Sequence, residues 1–214
     1  TAELSAQDTT RTYEMDPLVI TGTRITRQKS EIPASISVIS RKEIEKRTQV
    51  NILQVLSNKV PGLFVNERNM AGYGVGPESG GNISIRGVSG SPNTRILMLI
   101  DGQPQFMGIF GHPISDAYTG SDIERVEVLR GPGSILYGSN ALGGAINLIT
   151  RQPEEGLMLY GKAAYGSYNT SLLTGSVGFN KNKFNVFGSV NHEKTDGIRS
   201  DANDAFQNTT GYLK

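Results

Sequence analysis

The stretch most suggestive of chemistry is "RGPGSILYGSNALGG", which runs from Arg130 to Gly144 and sets four residues between Gly133 and Gly138, ahead of Ser139. A phosphate-binding loop of that frame needs a lysine directly after the second glycine to reach the terminal phosphates, and Ser139 holds that place. A dinucleotide fingerprint starts at Gly131 and Gly133 but meets Leu136 where its third glycine must stand. The remaining reading is conformational. Glycines permit positive φ and close backbone approach, so the run reads as a tightly turned loop with Leu136 and Tyr137 packed inward.

Other chemistries find no footing. No serine sits in a G-x-S-x-G frame. His112 and His192 are the only histidines, 80 positions apart, and make a poor zinc pair. There are no cysteines, which excludes disulfides, thiol catalysis and thiolate metal sites. Glu124 with Glu127, and Glu154 with Glu155, read as solvated carboxylates on strand or turn positions. "DGIRSDANDAF", from Asp196, carries oxygen ligands without the EF-hand order. His112 shares its loop with Phe106, Met107, Phe110 and Tyr118, which either line a ligand pocket or pack the loop on its own domain. No catalytic or metal-binding constellation emerges, and no cofactor is called for.

Composition narrows the class. Twenty-six glycines and 36% hydrophobic residues in 214 favour strands and turns over a helical bundle. With 21 basic and 20 acidic residues there is no overall field to attract nucleic acid. The longest apolar run, "ILMLI" at 96–100, is far shorter than the roughly 20 residues of a spanning helix. Residues 1–15 are polar and read as a mobile leader, without the apolar core of an export signal, so any such signal is expected to have been removed.

The elements follow from local pattern. "DPLVITG", residues 16–22, is a short apolar stretch with no evident pairing partner nearby; it reads either as an edge strand of the next domain or as a docking strand for another protein. "EIPASISVIS" reads as a strand, and Ser40 three positions before Glu43 begins a helix that continues through Val50, Leu53 and Leu56 to Pro61-Gly62. "NISIRG" is a strand, "RILMLIDGQPQF" a strand, an Asp101-Gly102 turn and a second strand, and "DIERVEVLRG" and "GAINLIT" are strands. From Gly156, three segments of about ten residues alternate apolar and polar, the length of tilted membrane-crossing strands. Leu173, Val177 and Phe179 share one parity against Thr174 and Ser176; Phe184, Val186 and Val190 oppose Asn185, Ser189 and Asn191. A soluble sandwich shows the same alternation, so a β-rich adhesion or carbohydrate-binding module stands beside a barrel as the alternative. Three strands cannot close a barrel, and "GYLK" reads as the opening of a fourth, so the chain is expected to be a fragment of a longer one.

Taken in order, "DPLVITG", "IPASISVIS", "VLSNKVPGLFV", "ISIRG", "RILMLIDGQ" and "IERVEVLRGPGSILYGSNALGGAINLIT" resemble the plug domain of TonB-dependent outer-membrane receptors. The resemblance implies an α+β plug domain, a small mixed sheet with helices and long loops, followed by the first antiparallel strands of a transmembrane β-barrel of about 22 strands. It divides the chain into a flexible leader at 1–30, a plug at 31–155 and the first three to four barrel strands at 156–214. Asp16, Pro17, Leu18, Val19, Ile20, Thr21 and Gly22 become the TonB box, the strand that TonB adds to itself, with ExbB and ExbD as TonB's partners. Arg86 and Arg130 become candidates for ion pairs with glutamates of the barrel wall. Tyr73, Gln105, Phe106, Met107, Phe110 and His112 fall in the apical loops that meet substrate, and "FGHP" resembles haem-uptake members in which a plug histidine ligates haem iron. The implied partners are outer-membrane lipid and a small nutrient: an iron chelate, haem or cobalamin. The implied location is the outer membrane of a Gram-negative bacterium, with the plug inside the barrel and the N-terminus in the periplasm.

Overall fold

The computed structural model describes residues 16–23, 25–46, 51–67, 71–73, 81–90, 93–105, 114–199, 201 and 204–214. Two very short strands come first, β1 (Leu18–Val19) and β2 (Arg27–Gln28), paired antiparallel. Leu18 and Val19 therefore do have a nearby partner. A two-residue strand carries no periodicity by which the sequence could show it.

Next come β3 (Ile36–Ser40), α1 (Arg41–Glu45) and α2 (Ile52–Lys59). Ser40 and Glu43 form the expected capping box at the start of α1, with the Ser40 N–H donating to Glu43 Oε2 at 3.1 Å. The single long helix expected from Ser40 to Pro61 is two helices instead. Asn51 is extended, at φ −78° and ψ 128°, and its side chain accepts the Leu53 N–H at 2.9 Å, so α2 has its own N-cap.

The rest of this region comprises β4 (Leu63–Val65), β5 (Ile83–Ile85), β6 (Ile96–Ile100), β7 (Gln103–Pro104), β8 (Ile123–Arg130), the short helix α3 (Ser134–Tyr137) and β9 (Gly144–Thr150). A mixed sheet of order β3-β8-β9-β6-β7 is its centre, parallel only between β6 and β9. Asp101 and Gly102 both have positive φ, 48° and 80°, and turn β6 into β7 as the Asp-Gly pair requires. Ile123 is buried with Val126 and Val128 although it lies at the opposite parity, because the register of β8 against β9 shifts between Ile123 and Arg125.

Both faces of the sheet are covered. On one, α2 and the β4–β5 pair bury Met98, Val126, Val128, Ile146 and Leu148 under Ile52, Leu53, Leu56, Ile83 and Ile85. On the other, Val19, Ile32 and Ala141 close over Ile36, Leu97, Leu99, Leu129 and Ala145. The leader therefore supplies part of the second core.

After Thr150 the chain forms β10 (Gly156–Gly166), β11 (Thr170–Lys181), β12 (Phe184–Thr195) and β13 (Phe206–Leu213), an antiparallel sheet in sequence order. The fourth strand starts at Phe206, well before the "GYLK" that announced it. Its exposure pattern decides between barrel and sandwich. Leu159 is 72% exposed and Phe184 75%, and Leu157, Leu173, Val177, Val186 and Val190 on the same side are all exposed, while Thr174, Ser176, Ser189 and Asn191 on the other side are buried. A soluble sandwich buries its apolar face. This sheet does the reverse, as the wall of a membrane barrel must.

The buried polar face rests on the mixed-sheet domain. Ser189 Oγ donates to Asp122 Oδ1, Asn191 Nδ2 to Thr119 Oγ1 at 3.3 Å, Asn180 Nδ2 to the Pro153 carbonyl at 3.0 Å and Asn208 Nδ2 to the Asp116 carbonyl at 3.0 Å. Lys214 Nζ meets Asp101 Oδ2 at 2.6 Å. Burial raises the Asp101 carboxyl, but the bonds from Lys214 and Thr150 outweigh it and hold the group below its ordinary value. Tyr160 lies under two guanidiniums, Arg41 at 5.8 Å and Arg151 at 5.6 Å from its ring centre.

Candidate functional site

Segment 16–22 is held at every stage of its length. Asp16 Oδ2 accepts the Ser30 N–H at 2.9 Å and its hydroxyl at 2.5 Å, and these bonds, the hydroxyl's first, hold the carboxyl below its ordinary value. The Pro17 carbonyl accepts from Lys29 N–H at 3.0 Å. Pro17 offers no donor, which suits the first position of a strand. Leu18 faces out and Val19 is 0% exposed in the second core.

The next residues end on a single carboxylate oxygen. Ile20 N–H, Thr21 N–H and the Thr21 hydroxyl donate to Glu127 Oε2 at 2.8, 2.9 and 2.7 Å. Glu127 is 0% exposed, and its other oxygen accepts from Arg125 Nε at 3.0 Å. A buried carboxylate with donors on both oxygens is a satisfied one. The Thr21 carbonyl accepts the Tyr137 hydroxyl at 2.9 Å. Gly22 then passes so close to Ile36 and Ile32 that a Cβ would lie 2.6 Å from Ile36 Cδ1.

The glycine-rich run thus has a structural purpose. Leu136 and Tyr137 N–H groups both donate to the Gly133 carbonyl, and Gly138 ends α3 at φ 85°, so one tight turn carries the Tyr137 ring to the leader. Leu136 and Tyr137 are partly buried as expected, while Ile135 just before them is fully exposed. Glu127 itself was misread as solvated. It lies in the middle of β8 between β3 and β9, in a sheet covered on both faces, where positions 126–129 are all buried. No local pattern in the sequence marks it, because the donors that satisfy it, on Ile20 and Thr21, lie more than a hundred positions away.

Arg86 and Arg130 reach one corner of the domain. Arg86, at φ 51° in a tight turn with Gly87, donates from its backbone to the Gly62 carbonyl at 2.7 Å and from Nη2 to Ser35 Oγ at 3.1 Å. The Arg130 N–H donates to the Ser35 carbonyl at 2.9 Å, and its Nη1 lies 3.4 Å from the Pro61 carbonyl. Neither has a carboxylate partner among the described residues, and Arg130 Nε is buried without an acceptor.

The expected ligand residues are less open to view. Phe106, Met107, Phe110 and His112 lie outside the described residues. Gln105 is partly buried, its N–H donating to the Met98 carbonyl at 2.9 Å. Tyr73 is buried in the first core with its N–H on Asp116 Oδ1 at 2.7 Å; burial, and then the charges of Glu67, Asp116 and Glu193, push its hydroxyl upward. Tyr118 packs in the same core. Among the described residues no group of histidine, aspartate and glutamate side chains could hold a metal, and Asp204 of the "DGIRSDANDAF" stretch accepts from the Ile198 and Arg199 N–H groups.

A mixed-sheet domain docked on the polar side of an antiparallel sheet whose apolar side faces out is the arrangement of a barrel and its stopper. The family model described as the TonB-dependent receptor plug domain matches residues 28–145, more than half of the chain, and the chain belongs to that family. It is 36% identical over 140 residues to the vitamin B12 transporter BtuB of Vibrio vulnificus strain CMCP6, covering 65% of this chain and 21% of BtuB. Among solved structures it is similar to FyuA, the ferric yersiniabactin uptake receptor from Yersinia pestis, with TM-score 0.62 and 25% identity over 84% of this chain and 28% of that one. It shares its fold with BauA, the ferric preacinetobactin receptor from Acinetobacter baumannii, with TM-score 0.67 and 22% identity over 86% of this chain and 26% of BauA. The chain spans between 21% and 28% of the length of these relatives.

Proposed function

We propose that this chain is the plug and first barrel strands of an outer-membrane receptor that takes up a scarce nutrient, an iron chelate such as a siderophore or haem, or cobalamin, with energy delivered by TonB, and that it performs no catalysis. The observation that carries the reading is the polarity of the four-stranded sheet, apolar outward and polar against the plug. That BtuB transports vitamin B12 and FyuA takes up ferric yersiniabactin supports the ligand class. Ligand binds at the outer mouth, where the loops bearing Tyr73, Gln105 and His112 belong, and TonB, driven through ExbB and ExbD, takes hold of residues 16–22 from the periplasm. Main-chain pairing supplies the affinity of such an added strand. Arg86 and Arg130 face acidic residues of the remaining wall. Deleting residues 16–22 from the full receptor should leave ligand binding intact and stop uptake; unchanged uptake refutes the assignment of that segment.

A further inference from the structure

We propose that Glu127 is a positioning residue for energy coupling: its Oε2 holds segment 16–22 in a resting seat, and the same contact makes withdrawal of the strand and opening of the plug one event. The proposal rests on the reading of 16–22 as the strand taken by TonB.

The geometry leaves the strand little freedom. Three donors of Ile20 and Thr21 converge on one oxygen of a fully buried carboxylate, and Tyr137 takes the Thr21 carbonyl from the other side. Both the N–H and the C=O of Thr21 are thereby occupied by the plug. A partner that adds a strand needs those backbone groups free. Thr21 cannot serve Glu127 and Tyr137 and a new neighbour at once, so the seat competes with the partner for the end of the segment. Asp16 and Pro17, by contrast, are tied among the described residues to Ser30 and Lys29, at the surface. The outer end of the segment is the end that frees first.

Withdrawal also has a cost inside the plug. Pulling Thr21 away strips Glu127 Oε2 of three donors while Arg125 still holds the other oxygen. A buried carboxylate cannot remain so without water or new donors. At the same time Val19 leaves the second core and uncovers Leu97, Leu99 and Leu129. The face of β8 that carries Glu127 must then hydrate, and the sheet loosens from the side the leader had closed.

The test uses the full receptor in lipid vesicles with a nitroxide on cysteine at position 18, an exposed site that leaves the core untouched. Variants are Glu127→Gln, Tyr137→Phe, Thr21→Val and, as the conservative rescue, Thr21→Ser, which keeps the hydroxyl donor. Label mobility is measured without nutrient present, and the affinity of the TonB periplasmic domain is measured on the same variants without the label. Glu127→Gln and Tyr137→Phe, which lie outside the segment TonB takes, are expected to free the label and to tighten TonB binding by about tenfold, the scale of one charge-assisted hydrogen bond. Thr21→Val is expected to free the label and Thr21→Ser to keep it as immobile as in wild type. A label as immobile in Glu127→Gln and Thr21→Val as in wild type overturns the seat, and a freed label with unchanged TonB affinity overturns its role in coupling. Should Glu127→Gln fail to fold, the Thr21 pair decides the seat and Tyr137→Phe decides the coupling. Failure of the wild-type receptor to bind TonB in any state counts against the proposed function instead, while label mobility still decides the seat.

Discussion

Thr21 and Glu127, 106 residues apart in sequence, are joined by two hydrogen bonds to one carboxylate oxygen, from the threonine backbone at 2.9 Å and its hydroxyl at 2.7 Å. One partner belongs to the leader and the other to the central sheet. The leader is thus tied to the plug's interior by a polar contact and by the burial of Val19 beside it. A mechanical pull on the first therefore acts on the second.

Acid should loosen the outer end of the leader. The Asp16 carboxyl lies below its ordinary value of 3.8 because Ser30 donates to it. A depressed carboxyl contributes its full stabilisation above the unfolded value and loses it as pH falls through the folded one. Amide exchange of Ser30, corrected for intrinsic rate, should show constant protection above about pH 5 and lose it below about pH 4. Asp16→Ala should show low protection throughout.

Arg86 and Arg130 should act as one unit. Both rest on Ser35 and the Pro61-Gly62 turn, close enough to share partners. Each change to alanine in the full receptor is expected to cost about 3 kcal/mol or more if it strands a buried acidic partner. The double variant should cost less than the two summed, read from urea midpoints of the receptor.

The outward face of the sheet should refuse charge. Leu159 and Val177 are opposite one another in the β10–β11 register and both exposed. Leu159→Arg should destabilise the receptor in lipid by about 2–4 kcal/mol if the residue sits near mid-bilayer. Folding into vesicles, followed by denaturant titration, measures it.

What the sequence showed and hid follows from how each signal works. Asp101-Gly102 and the alternation of β11 and β12 were legible because turn chemistry and period-two patterns are local. The break at Asn51 was missed because the apolar spacing of Val50, Leu53 and Leu56 carries on across it, while the cap is a single side chain. The start of β13 was missed because Gln207, Asn208, Thr209 and Thr210 are polar on both parities. The candidate site was legible only on its leader side: "DPLVITG" stood out, but Glu127 takes its meaning from a leader residue 106 positions away, and no local pattern carries that.

The most direct test of the account is an accessibility scan of nitroxides placed singly from residue 172 to residue 180 in the full receptor in lipid vesicles. Odd positions, with Leu173, Val177 and Phe179 among them, should collide freely with dissolved oxygen and hardly with a water-soluble nickel chelate, while Thr174 and Ser176 should be shielded from both by the plug. Oxygen contact on the even positions, or nickel contact throughout the odd ones, would contradict a sheet that faces lipid with one side and seats the plug with the other.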